Sequence, residues 1–530
     1  MVPVLIVGGG PIGLALAADL GWRGIRCLLI EQTDSTIYHP RATAENARTM
    51  EFCRRWGIAE AVRAVATPPD YPHTVVYATD MNGYEVARIE RPHHGGLDPS
   101  VTSPERPQRC NQIFFDPILR ACAEGFPTVA LRYSCRFESF EQDADGVTAT
   151  VTDVRSGATE RIRARYLVAC CGGHSSIGRT LGMAIAERPV LGYPINVFFK
   201  TPALWRYHRM GKAAIYFLVQ PEGVWGSIVT MDGHELWRLG IQGTKTFVDA
   251  KTIDPAAMLR RAMGRDVPFD ILNVLGWVRR NHVVERFRFG RVFLAGDCAH
   301  QNSPSGGFGL NTGMGDAVDL GWKLAAAIEG WGGEGLLESY EVERRPVAVR
   351  NVAASTRSFL GHGFRDIAEI AADTPEGARQ RAAVGAKMMA GGREQFVSDG
   401  IALGYRYEAS PVVVPDGTEA PPDPVMDYSP TSRPGHRAPH AWLAPGRSTL
   451  DLFGRGFTLL RFDGKEDGLA DAARRRGVPL AVHDIAYPAI ATLYECRYVL
   501  VRPDGHVAWR GDDPPADPVA VIDRVRGGLA

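Results

Sequence analysis

The sequence predicts a mixed α/β protein with three parts: a parallel nucleotide-binding sheet, an antiparallel sheet inserted into it, and a small α/β unit at the C-terminal end. Three observations carry this. The turn Gly8-Gly9-Gly10-Pro11-Ile12-Gly13 stands between an apolar β-type run and a helix-forming run. A second turn-rich segment, Ala295-Gly296-Asp297-Cys298-Ala299-His300 running into Pro304-Ser305-Gly306-Gly307-Phe308-Gly309-Leu310-Asn311, comes far downstream. Between them the pattern shifts to short β-type runs separated by Pro/Gly and Asp/Gly turns.

The first element is the strand Val4-Leu5-Ile6-Val7, and the run after the turn, Leu14-Ala15-Leu16-Ala17-Ala18-Asp19-Leu20, favours helix by composition. In a strand–turn–helix unit Gly8 permits the tight turn and Gly10 lets the backbone approach a pyrophosphate. Gly13 lets the helix pack closely on the sheet, and Pro11 and Ile12 stand at the helix start, whose free N–H groups and dipole favour phosphate. A second strand, Arg26-Cys27-Leu28-Leu29-Ile30, ends at Glu31-Gln32, where an acid would bond a ribose hydroxyl. That carboxylate would repel a 2′-phosphate, so the site suits FAD or NAD better than NADP.

The downstream segment chooses FAD. Val292-Phe293-Leu294-Ala295 reads as a buried strand with Gly296-Asp297 at its carboxyl end, where open α/β sheets bind ligands. The Asp297 carboxylate is placed for ribityl hydroxyls. The loop Pro304 to Gly307 and the helix start at Gly309, Leu310 and Asn311 would turn N–H groups toward the electron-rich side of a flavin and stabilise its reduced anion.

On these motifs the chain resembles the class A flavoprotein monooxygenases, the aromatic hydroxylases related to p-hydroxybenzoate and phenol hydroxylases. It is most similar to the subgroup with a C-terminal thioredoxin-like extension, as in aromatic polyketide hydroxylases. The resemblance runs through His39-Pro40-Arg41-Ala42 with Asn46 and Arg48, through Arg109-Cys110-Asn111-Gln112, and through Gly313-Met314-Gly315-Asp316-Ala317 to Tyr340-Glu341-Val342-Glu343-Arg344-Arg345-Pro346. It implies that Arg41 and Gln112 contact the flavin nucleotide and that Pro304 lies near the flavin edge where oxygen reacts. It further implies NADPH or NADH as a transient electron donor without a Rossmann domain of its own, O2 as co-substrate, and oxygen transfer to a phenolic or heteroaromatic ring through a flavin C4a-hydroperoxide. A natural-product substrate follows from the subgroup alone. A Baeyer–Villiger oxygenase on the same fold, or a non-catalytic FAD-binding protein impaired in reduction, are the alternative readings.

The implied division is a discontinuous, Rossmann-like FAD-binding domain over residues 1–71, 106–185 and 281–400, and a substrate-binding β-sheet domain over 72–105 and 186–280. The sheet is read from Ile215 to Val219, Trp225 to Thr230 and Leu236 to Ile241. Eight prolines between Pro411 and Pro439 mark 401–440 as a Pro-rich linker. Residues 441–530 resemble a thioredoxin fold without CxxC. Their one cysteine is Cys496, so a structural or homodimer-forming role replaces dithiol exchange.

Tyr71, Tyr216, Trp225 and Trp237 are the candidates to stack on or bond an aromatic substrate. His39 and His300 could assist proton removal, but each reads first as a structural histidine, and no catalytic residue is assigned. Lys+Arg and Asp+Glu both number 60, so no basic field invites nucleic acid. Nine cysteines at irregular spacing fit a reducing cytoplasm, no metal-finger pattern is present, and no apolar run approaches a membrane span.

One departure from the family pattern stands after the strand Tyr166-Leu167-Val168-Ala169-Cys170. The aspartate of the usual Asp-Gly pair is Cys171 here, followed by Gly172-Gly173-His174-Ser175-Ser176, and the downstream arginine position holds Gly178 beside Arg179. Losing that carboxylate bears most on nicotinamide handling. Cys170-Cys171 reads as buried thiol at a strand end rather than a redox pair. Replacing Cys171 with Asp is expected to leave FAD affinity or the rate of flavin reduction unchanged or improved. Flavin titration of the apoprotein and stopped-flow reduction check this, and a strong loss of both would show that the thiol itself is required.

Overall fold

The structure, a computed structural model, describes residues 1–34, 36–90, 99–173, 175–183, 190–244, 246–361, 364, 366–391, 395–462 and 467–528. His174 and residues 91–98 and 186–189 of the expected sheet insertion lie outside them.

The first sheet draws its strands from three separate stretches of chain. Val2–Val7 lies at its centre, flanked by Cys27–Ile30 and then Val129–Arg132 on one side, and by Thr159–Ala169 and then Val292–Leu294 on the other. All four of these pairings are parallel. In register, Val7 stands beside Ala169 and Ala169 beside Leu294. The glycine turn, the Cys170-Cys171 turn and the Gly296-Asp297 loop therefore leave the sheet at one carboxyl edge. The helix Pro11–Trp22 behind this edge is buried from Ile12 to Gly21, as expected of a helix with apolar residues on every face. Phe308–Glu329 packs against it and Glu334–Leu360 follows.

The inserted sheet runs in the order Asp270–Gly276, Val190–Lys200, Leu236–Thr244, Gly223–Thr230, Ile215–Gln220, Val75–Ala78 and Glu85–Ile89. It is antiparallel except where Ile215–Gln220 meets Val75–Ala78 in parallel. One face buries Val197, Phe199, Tyr216, Leu218, Trp237 and Leu239 in a core of its own.

At the C-terminal end Leu480–Asp484, Phe457–Arg461, Tyr498–Val501 and Val507–Gly511 form a four-stranded mixed sheet. The proline-rich stretch before it is irregular yet packed, with Tyr405, Tyr407, Val412 and Val413 buried. Among the described residues no helix is long and apolar enough to cross a membrane, and no group of three or more His, Cys, Asp or Glu could hold a metal ion.

The C-terminal unit is fastened by buried charge. Arg502 donates to Glu343 at 2.6 and 2.8 Å, to Asp319 at 3.0 Å and to Asp504 at 2.7 Å. Lys323 donates to Asp319 at 2.8 Å and to Glu343 at 2.5 Å. Burial opposes ionisation of Glu343, but Arg502 and Lys323 outweigh it and hold the carboxyl down at about 2. Removing one partner from such a cluster leaves the opposite charges buried and uncompensated, typically at a cost of about 3–5 kcal/mol. Glu343→Gln is accordingly expected to lower the unfolding free energy measured in urea by that amount. A change below about 1 kcal/mol would show that the cluster holds nothing together.

Candidate cofactor and substrate site

A single continuous cavity of about 1880 Å³ opens between the carboxyl edge of the parallel sheet and the inserted sheet. Pockets for one small ligand run to roughly 300–1,000 Å³, so this one has room for a dinucleotide and a second molecule.

Its nucleotide end is built by glycines. Gly8 takes φ +114°, and a Cβ there would lie 2.5 Å from the Cys170 carbonyl oxygen. A Cβ on Gly13 would stand 2.0 Å from the Gly8 carbonyl oxygen, whereas one on Gly10 would project into open space, with nothing within 4 Å. The helix start carries no side-chain cap and has Pro11 in its first turn, so its free N–H groups face the cavity. A backbone cradle with room left in front of Gly10 is what a pyrophosphate requires. Glu31 accepts from the Gly9 N–H at 2.8 Å with one oxygen and from the Thr33 N–H and hydroxyl with the other. Gln32 and Arg41 lie exposed along the same wall.

Ile12 works differently from a ligand contact. A Cβ on Gly296 would approach the Ile12 side chain to 2.9 Å and one on Gly313 to 2.6 Å. The Ile12 side chain is thus a wedge that sets the first helix against both the Gly296 turn and the helix Phe308–Glu329.

The opposite end rests on Asp316. This buried carboxylate accepts the Gly296 N–H at 3.0 Å, lies 2.7 Å from His300 Nε2, and accepts from Arg344 Nε at 2.9 Å. Burial alone would raise its pKa, but His300 and Arg344 lower it below the ordinary value. The network fixes the turn Gly296–Cys298, from which the Asp297 side chain opens into the cavity. The protein packed around that opening raises the Asp297 carboxyl, against the pull of His300 and Arg41. Pro304 and Gly307 line the cavity beside it, and the uncapped helix start at Phe308, Gly309 and Leu310 faces inward.

Two amides expected at the flavin are committed to protein partners. The Asn311 side chain accepts from the Asn46 N–H and the Thr49 hydroxyl, and donates to the Ala44 and Gly307 carbonyls. Gln112 donates to Asp116 at 2.9 Å. Both border the cavity, but these bonds leave Asn311 stapling the helix start to the 44–49 segment.

The four aromatic candidates do not line the cavity. Tyr216 and Trp237 are fully buried, with the Tyr216 hydroxyl donating to the Gly211 carbonyl at 2.6 Å and the Trp237 indole to the Thr201 carbonyl at 3.1 Å. Tyr71 is buried over Ala213, and Trp225 lies under the Arg261 guanidinium. The reason is strand parity: successive side chains point to opposite faces, so Phe217 and Arg238, one residue on, take the cavity face. At Trp225 a register break between Leu218 and Val219 leaves it outside the pairing.

The sequence reading missed the polar residues of that face. Arg238 donates to the Arg41 carbonyl at 3.0 Å while its buried Nε has no partner. Arg279 donates to Gln242 at 3.0 Å, stacks 4.4 Å from the Phe359 ring centroid, and also leaves Nε unpartnered. Burial lowers both guanidinium groups to about 10. The signal available was alternation: Arg238-Leu239-Gly240-Ile241-Gln242 puts polar and small residues on one face. His39 is 3.1 Å from the Asn273 side chain, and burial brings its imidazole down to about 4, so it is neutral at pH 7. His300 is tied up with Asp316.

Comparison with known proteins agrees with this geometry. A family model described as FAD binding domain matches residues 1–355, and one described as aromatic-ring hydroxylase, C-terminal, matches residues 431–527. The chain belongs to the class A flavoprotein aromatic hydroxylases, FAD-dependent monooxygenases in which the first domain binds FAD. It is 36% identical to the tetracenomycin B2 monooxygenase-dioxygenase of Streptomyces olivaceus, across 99% of this chain and 98% of that one. It is 31% identical to the phenol 2-monooxygenase of a Pseudomonas species, across 99% and 92%. Among solved structures it is similar to the rebeccamycin biosynthetic enzyme RebC with reduced flavin, with a TM-score of 0.90 and 41% identity over 100% of this chain and 99% of that one. The monooxygenase PieE in complex with FAD and substrate gives a TM-score of 0.91 at 35% identity, again over 100% and 99%. The mixed α/β architecture read from the sequence is the one these structures share.

Asp316→Asn keeps the shape but withdraws the charge that faces Arg344 and His300. It is expected to weaken FAD binding by about tenfold or more, the scale of a lost charge-assisted hydrogen bond, measured by flavin fluorescence titration of the apoprotein. Unchanged affinity would show that the Gly296 turn holds its position without this carboxylate.

Proposed function

We propose that the protein uses NADPH or NADH and O2 to hydroxylate an aromatic substrate that carries a carboxylate or comparable anionic group. The observation that carries the substrate class is the pair of guanidinium groups, Arg238 and Arg279, on the cavity face of the inserted sheet, each with a buried N–H that lacks a partner. A buried donor left unbonded costs about 1–3 kcal/mol, and an anion between such groups would recover it. RebC has been captured soaked with chromopyrrolic acid, an acid by its name, which supports the same reading.

Bound FAD supplies the activation of O2 that no side chain can provide. The chain's own residues do the rest. The Gly8–Gly13 turn and the helix start would hold the pyrophosphate, Glu31 would face the ribose, and Asp297 with the Pro304–Gly307 loop would position the flavin end. Phe217 and Phe359 give the substrate apolar walls, and the two arginines fix the orientation of its ring. Neither histidine is suited to take the phenolic proton: burial brings the His39 imidazole down to about 4, which leaves it a weak base, and His300 is sealed behind Asp316.

Anaerobic mixing of the holoprotein with NADPH or NADH, with and without chromopyrrolic acid, tests the reading. Bleaching of the flavin band that the acid accelerates is the expected result; a band that neither nucleotide bleaches would favour the FAD-binding protein without a reductive half-reaction. Arg238→Met is expected to weaken binding of chromopyrrolic acid by about 10- to 100-fold, as befits one charge-assisted hydrogen bond, while binding of its methyl ester changes little. Equal losses for acid and ester would sink the anionic subsite.

A further inference from the structure

Cys171 and Cys298 lie far apart in sequence and meet at the floor of the cavity, where the strands Thr159–Ala169 and Val292–Leu294 end side by side. Their Sγ atoms are 3.7 Å apart. Cys171 Sγ is also 3.1 Å from the Ser175 hydroxyl and borders the cavity, while the buried Cys298 thiol donates to the Gly172 carbonyl at 3.3 Å. The cofactor contacts described above use neither sulfur. The two occupy consequential positions: Cys171 replaces the acid of the family's Asp-Gly pair, and Cys298 is adjacent to Asp297 in the flavin-facing turn.

We propose that Cys171 and Cys298 form a peroxide-oxidisable dithiol whose closure to a disulfide weakens retention of FAD. The consequence for FAD rests on the placement of Asp297 at the flavin end given above. A disulfide needs an S–S distance of about 2.05 Å. Closure therefore draws the two sulfurs together by roughly 1.6 Å from their present separation and ties the two turns that carry them by a covalent bond. It also removes the thiol hydrogen that now bonds the Gly172 carbonyl. One of the two linked turns is Gly296–Cys298, which carries Asp297.

The chemistry balances with hydrogen peroxide as the oxidant, a molecule that any reduced flavin open to O2 produces nearby. Cys171 is the attacking sulfur, since it alone borders the cavity. The adjacent Cys298 sulfur and the Ser175 hydroxyl lower its pKa against burial, whereas the neighbouring Cys171 sulfur and burial push Cys298 well up. The Cys171 thiolate attacks one peroxide oxygen, the S–O bond forms, the O–O bond breaks, and the departing hydroxide takes a proton to become water. Cys298, giving up its proton, then attacks the Cys171 sulfur; the S–S bond forms and the S–O bond breaks, releasing a second water. Two thiols lose two electrons, and one peroxide becomes two waters.

The experiment treats the native holoprotein with hydrogen peroxide, blocks remaining thiols, and digests it for mass spectrometry, with FAD titration of the treated and untreated apoprotein in parallel. The expected result is one linked peptide pair joining Cys171 to Cys298, lost on reduction with dithiothreitol, and a dissociation constant for FAD at least several-fold higher in the oxidised protein that dithiothreitol restores. Recovery of both cysteines unlinked, or of Cys171 as a sulfinic acid with Cys298 free, would overturn the dithiol. A linked pair with unchanged FAD affinity would overturn the proposed consequence. The linked peptide is read without flavin, so failure of the untreated protein to take up FAD would count against the cofactor placement and not against the sulfur chemistry.

Discussion

The cofactor site depends on one buried carboxylate. Asp316 sits on the long helix that backs the parallel sheet, yet its three partners come from elsewhere: a backbone N–H of the Gly296 turn, the imidazole of His300 and the guanidinium of Arg344. An ionised carboxyl in such a place is tolerable because those partners satisfy it. The consequence runs outward. With Gly296 held, Ile12 can wedge between the Gly296 turn and Gly313, and the first helix is locked against the second. The backbone N–H groups of two helix starts are then aimed into one cavity without any side chain having to reach across it.

The same logic of satisfied charge joins the C-terminal unit to the rest. Arg502 comes from that unit, whereas Asp319, Lys323 and Glu343 come from the two helices behind the cofactor sheet. Asp316 and Asp319 share one helix, and Glu343 and Arg344 are neighbours on the other. The cofactor turn and the C-terminal contact are therefore braced by adjacent residues on the same two helices. The C-terminal unit thereby closes over charges on these two helices that would otherwise meet water.

Those parts of the site that depend on local backbone form were legible in the sequence. Gly8 and Gly13 can be read because each answers a local steric demand, Gly10 because it leaves open space before the backbone, and Gly296-Asp297 because it follows a strand end. Residues whose partners arrive from distant segments were harder to place. Asn311 looked like a cofactor contact from its position at a helix start, yet its amide is taken up by Asn46, Thr49, Ala44 and Gly307. The aromatic candidates failed for another reason. In an antiparallel sheet buried on both sides, apolar content does not say which face meets the ligand, and the large rings of Tyr216 and Trp237 went to the core while Phe217 and Arg238 took the cavity.

That division of labour bears on how such a site changes substrate without losing its cofactor. The flavin end is made of backbone geometry and a carboxylate network in which nearly every group has a partner, so most substitutions there remove support. The inserted sheet is different: its core face carries the packing, and its cavity face carries side chains such as Arg238 and Arg279 whose hydrogen-bonding capacity the protein leaves partly unused. A change on that face would alter which groups are left unsatisfied without removing Val197, Phe199 or Trp237 from the core behind it. The sheet's two faces separate stability from specificity, and the second is written in residues that alternate with the first.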